Sequence, residues 1–194
     1  MKNILTIILL GMLGLTSCKK TTACIESDIA IAKLGQDITF HNCSIKYDEA
    51  EFILGDNLNT YDQYDFDSDA LTASYHTPGI FTSKMEVSKG NKEDNETLTI
   101  EIEKPTIEEL VGDWEYYKVE DVFIFNDSQN TTGTLTLTES TFVDVDGNTG
   151  SWTLLSNGRI NLDGESFEIY RLYDGELVLR ENDGFSYLYH YYVK

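Results

Sequence analysis

Two sets of side chains in this 194-residue chain have the types and spacing to do chemistry. Phe185, Tyr187, Tyr189 and Tyr191 recur at every second position, so on an extended strand they share one face. With Trp114, Tyr116 and Trp152 they form a candidate ligand-binding wall, because aromatic rings pair flat apolar faces with polar tips. The alternative is that these rings fill a narrow barrel and send their hydroxyls to its rim. Leu188, His190 and Tyr192 then take the opposite face. The second set is Asp65, Asp67 and Asp69, which alternate like the acids of a calcium loop. Ala70 and His76 stand where an EF-hand needs its glycine and its glutamate, so only a looser Ca²⁺ site remains open there.

Catalytic patterns are missing. His41, His76 and His190 share no metal-ligand spacing, and there is no G-x-S-x-G, phosphate loop or Cys–His pairing. Carboxylates are too numerous for any pair to stand out as a dyad. The expectation is a protein that is not an enzyme and carries no cofactor. With 34 acidic against 14 basic residues, the net charge is −20. Such a surface repels nucleic acid and anionic headgroups, which excludes binding through a basic patch.

The elements that must hold these residues read as strands. Tyr, Thr, Ile and Val are frequent and Pro is scarce. One helical turn stands out, at Thr106-Ile107-Glu108-Glu109-Leu110, with Thr106 as the cap and Glu109 three residues on. Residues 25–103 break into short strands at 25–32, 37–42, 50–54, 71–75, 79–87 and 96–103, which suggests a small β-sandwich. Cys24 and Cys43 flank the first two. If Lys33-Leu34-Gly35-Gln36 makes these a hairpin, the pairing sets Cys24 opposite Cys43. A disulfide there would stabilise by roughly 3 kcal/mol; the alternative is two free buried thiols. Glu103-Lys104-Pro105-Thr106 reads as a joint. Beyond it, eight strand-like runs are separated by Asp146-Gly147-Asn148, Ser156-Asn157-Gly158, Asp163-Gly164, Asp174-Gly175 and Asn182-Asp183-Gly184. That is hairpin chemistry, and it predicts an up-and-down barrel over 105–194.

Three stretches resemble known families. A basic start and an apolar run end in Leu15-Thr16-Ser17-Cys18, which resembles the lipobox of bacterial lipoproteins in its Bacteroidetes variant. The resemblance implies a signal peptide over 1–17, acylation of Cys18 with palmitate-type chains, and a tether over 18–24. By the same resemblance, Lys19-Lys20 after the cysteine implies the outer membrane, with the periplasmic face favoured over the cell surface. Ile38-Thr39-Phe40-His41-Asn42-Cys43-Ser44, Glu51-Phe52-Ile53-Leu54-Gly55-Asp56-Asn57, and Tyr75 with Pro78-Gly79, Phe81, Met85 and Val87 resemble polycystic-kidney-disease (PKD) domains. This implies an Ig-like sandwich over 25–104. Leu110, Gly112 and Trp114, Gly150-Ser151-Trp152-Thr153-Leu154, Ile169 and Leu172, Leu177-Val178-Leu179 and Tyr187-Leu188-Tyr189 resemble lipocalin-like domains of Bacteroidetes lipoproteins. That implies a barrel whose mouth binds a small apolar or amphipathic ligand or an envelope protein. A structural or adhesion protein with a filled barrel is the alternative.

Overall fold

A computed structural model describes residues 20–56, 63–65, 70–122, 127–182 and 186–194. The protein is all-β. Eight strands come first: β1 (Ile25–Ser27), β2 (Ile31–Ala32), β3 (Ile38–Asn42), β4 (Glu49–Ile53), β5 (Gln63–Asp65), β6 (Ala70–Ala73), β7 (Gly79–Lys89) and β8 (Lys92–Ile102). After the short helix α1 (Ile107–Leu110) come β9 (Gly112–Asp121), β10 (Asp127–Leu137), β11 (Thr141–Val143), β12 (Thr149–Leu154), β13 (Arg159–Leu162), β14 (Glu165–Tyr173), β15 (Glu176–Asn182) and β16 (Tyr187–Val193).

β9 to β16 close into an antiparallel barrel in which β16 returns to β9. The turns follow from their residues. Asp163-Gly164 and Asp174-Gly175 adopt positive φ at both positions, the geometry whose twist matches the flanking strands. α1 starts as the sequence indicates. Thr106 Oγ1 accepts from the Glu109 N–H while the Glu109 carboxylate accepts from the Thr106 N–H. Gly150 faces the Phe142 ring, and a Cβ there would lie 2.7 Å from it.

The first half forms two sheets, β1-β3-β6 and β2-β8-β7-β4-β5, which meet where the Phe40 and Phe52 rings lie 4.8 Å apart. The 25–32 run departs from the expected single strand. Its first part pairs with β3 in the anticipated register, Ile25 opposite Asn42. Asp28 then breaks the ladder, because its carboxylate accepts from the Thr39 N–H at 3.0 Å and Ser27 Oγ donates to the Ile29 carbonyl. The chain leaves for the other sheet, where β2 runs parallel to β8. Between the expected strands at 50–54 and 71–75, β5 adds to the sheet by pairing with β4.

Lys33-Leu34-Gly35-Gln36 is more than a turn. Leu34 is buried, its carbonyl accepts from the Leu172 N–H at 3.0 Å, and the Gly35 carbonyl accepts from Arg171 Nη1 at 2.9 Å. Beside it, His76 stacks on Tyr170 with centroids 3.6 Å apart and shares a 2.7 Å hydrogen bond with the Tyr170 carbonyl. Lys33 bridges Glu103 and Glu109. The first half and the barrel therefore pack on each other well beyond the covalent joint at Pro105. Among the described residues no helix is long and apolar enough to cross a membrane.

Candidate functional site

The two ends of the barrel are built differently. At the α1 end, Trp114 Nε1 donates to the Leu110 carbonyl at 2.7 Å, and Trp114 and Leu110 are 1% and 0% exposed. Lys194 lies 4.2 Å above the Trp114 ring and donates to the carbonyls of Glu109 and Val111 at 2.9 Å each. A Cβ at Gly112 would crowd the same lysine, 3.1 Å from its Cε. Trp152 closes the other side, donating through Nε1 to the Thr138 carbonyl. Leu137, Ile160, Ile169 and Leu177 fill the space inside. This end is shut.

Register then orders the lumen into rows across β15, β16 and β9, since directly paired residues of antiparallel strands share a face. Leu177, Tyr192 and Tyr116 form the innermost row, Leu179, His190 and Val119 the next, and Glu181, Leu188 and Asp121 the row at the far rim. Burial falls along that series. Leu177 and Leu179 are buried, whereas Tyr116, Val119, Leu188 and His190 are only half-buried. Phe167, from β14, is half-buried at the same level, 6.2 Å edge-on from His190. Among the described residues, the apolar and aromatic side chains at the far end are thus only partly covered.

His190 is the polar centre of this mouth. Its Nδ1 shares a 3.0 Å hydrogen bond with the Tyr116 hydroxyl, and its Nε2 is buried without a hydrogen bond, 3.5 Å from Glu181 Oε2. Burial lowers the His190 pKa, against the pull of Glu181, so the ring is neutral at neutral pH. Burial also raises the Tyr116 pKa, so its hydroxyl keeps its proton. A neutral imidazole and a phenol exchange hydrogen bonds with a ligand but provide no activated nucleophile.

The wall expected from the sequence is divided. Trp114, Tyr116 and Trp152 face inward, while Tyr187, Tyr189 and Tyr191 lie on the outer wall and Leu188, His190 and Tyr192 take the lumen. Pairing with β15 sets this, since the buried Leu177 and Leu179 lie opposite Tyr192 and His190; a bulge at Tyr117 in β9 then keeps Tyr116 opposite Tyr192 while Lys118 pairs with Tyr191. Outside, Arg180 lies over Tyr187, Tyr189 meets Tyr170 edge-on, and Tyr191 donates to Glu120 beneath Lys118. Glu120 is held below the usual carboxylate range by Lys118 and Tyr191, and Tyr117, bonded to Glu176, is pushed up to about 12, mainly by burial. Phe185 lies outside the described residues. The alternation of β16 made both faces legible but not which one is inside, since each is rich in rings. Glu181, Val119 and Phe167 drew no notice in the sequence, because an isolated acid or apolar residue on a strand carries no signal until its register is known.

Cys24 and Cys43 are joined by a disulfide with Cα atoms 4.9 Å apart. With Glu26 they make the one cluster of potential metal donors among the described residues, but both sulfurs are in the bridge. Asp65 ends β5, with a side chain outside the described residues. Asp67, Asp69 and Cys18 also lie outside them. No protein-family model matches this chain, and no curated protein matches it at a significant level.

Proposed function

We propose that this chain is a non-catalytic binding protein, held at the outer membrane by acyl chains on Cys18, whose barrel takes a small apolar or amphipathic ligand at the end away from α1. The first half serves as an Ig-like, PKD-like spacer over 25–104, and residues 105–194 are a lipocalin-like module. The strand that crosses between sheets after Asp28 and the Phe40–Phe52 contact support the sandwich part of this reading. One observation carries the binding part. Inward-facing Val119, Phe167 and Leu188 are only half-buried among the described residues at one end, while side chains fill the interior at the other. Apolar surface left partly uncovered is a usual ground for a ligand.

Titration of the purified protein with a neutral fluorescent hydrophobe such as N-phenyl-1-naphthylamine tests the reading. Saturable enhancement is expected, abolished by Leu188→Arg and untouched by Tyr187→Ala. Loss through Tyr187→Ala with Leu188→Arg still binding would instead favour a structural or adhesion role through the outer wall. The tyrosines there give that second reading its ground, with Tyr187 40% and Tyr117 39% exposed. No saturable signal in any form would end the ligand proposal.

A further inference from the structure

We propose that the ligand of the open barrel end is a cationic amphiphile, with an ammonium head at the rim and an apolar body against Leu188, Val119 and Phe167. This rests on the binding reading above and goes further by fixing the sign of the ligand's charge.

The argument starts from where the barrel keeps its cations. Beyond Pro105 the chain has five basic residues: Lys118, Arg159, Arg171, Arg180 and Lys194. Register puts the first four on the outer wall, Lys118 opposite Tyr191, Arg159 and Arg180 opposite Glu168, and Arg171 opposite Val178. The fifth covers Trp114 at the sealed end. None faces the lumen. Carboxylates do enter it, since Glu181 and Asp121 both pair with Leu188 and so share its inward face. The half-exposed apolar row makes the site, and the charge placement selects what enters.

An ammonium arriving at this rim meets the Glu181 and Asp121 carboxylates and the half-buried ring of Phe167, beside His190. Aromatic faces attract cations as well as apolar chains. A carboxylate-headed ligand would meet the same acids with no inward base to neutralise it, and like-charge contact of this kind opposes binding. The net charge of −20 adds long-range steering toward cations.

Calorimetric titration of the purified protein with octylammonium, 1-octanol and octanoate separates the possibilities, because the three share a chain and differ in head charge. Octylammonium is expected to bind at least about tenfold more tightly than octanoate, a gap of about 1.4 kcal/mol. Glu181→Gln should weaken octylammonium severalfold and leave 1-octanol unchanged, a split that general loss of folding would not produce. Equal affinities for all three, or a preference for octanoate, would overturn the charge assignment while the open-end reading stands. Binding by none of the three would remove both.

Discussion

His76 shows how one side chain ties pH to the packing of this protein. It reaches from the first half to stack on Tyr170, and its Nε2 shares a 3.3 Å hydrogen bond with Ser74 Oγ. Burial holds its pKa below the ordinary 6.5, against the pull of the Tyr170 carbonyl; Arg180 and Arg171 add to the depression and Glu168 opposes it. As pH falls past 6.5, the unfolded chain therefore takes up a proton that the folded one does not yet hold. Stability declines between that value and the lower folded pKa, and remains lost below both. His190 shifts in the same direction, so two groups contribute. Carboxylates lowered by their partners, such as Glu109 and Glu120, act only at more acid pH. Urea denaturation at about pH 7.5 and about pH 5.5 should show wild type losing stability that His76→Gln loses less of. An undiminished loss in the variant would mean that His76 does not carry the effect. The comparison is of slopes, so any fixed cost of losing the stacked ring drops out.

Elements were legible wherever local chemistry alone determines them. The hairpin glycines, the Thr106 cap and the pairing that puts Cys24 beside Cys43 all act over a few residues or within one ladder. The break at Asp28 was not legible, because it depends on a hydrogen bond to Thr39 eleven residues away. The inward face of β16 was hidden for a similar reason, since its pairing with Leu177 and Leu179 of β15 decides it. The disulfide belongs to this scale, as it fastens β1 to β3 where β1 is only three residues long. The bridged cysteines are 19 residues apart, a loop for which a bridge contributes about 3 kcal/mol. Paired Cys24→Ser and Cys43→Ser changes should lower unfolding free energy by about that amount in oxidising buffer. Adding a reductant should then lower wild type to the level of the variant and leave the variant where it was. A reductant effect that persists in the variant would refute the assignment.

At the scale of the molecule, the open question is whether the two halves unfold as one. A flexible joint at Pro105 would let each melt alone, yet the buried residues of both halves belong to one continuous cluster running from Phe40 and Ile100 through Leu34 to Leu172 and Trp114. Gly35 sits at the seam with φ +68, and a Cβ there would lie 2.8 Å from Arg171 Cβ. An alanine has to push that strand away as well as adopt left-handed backbone. Gly147 is the control, with φ +84 and nothing within 4 Å of its Cβ position. Gly147→Ala should cost about 1 kcal/mol, the local backbone term alone, and keep a single calorimetric transition. Gly35→Ala should cost about 2–4 kcal/mol, because overpacking is added to the backbone term. It should also split the transition, with the barrel and the two-sheet half melting apart once Leu34 can no longer seat beside Leu172. If Gly35→Ala instead lowers one undivided transition by no more than Gly147→Ala, the contact at the seam does not couple the halves, and the covalent joint alone connects them.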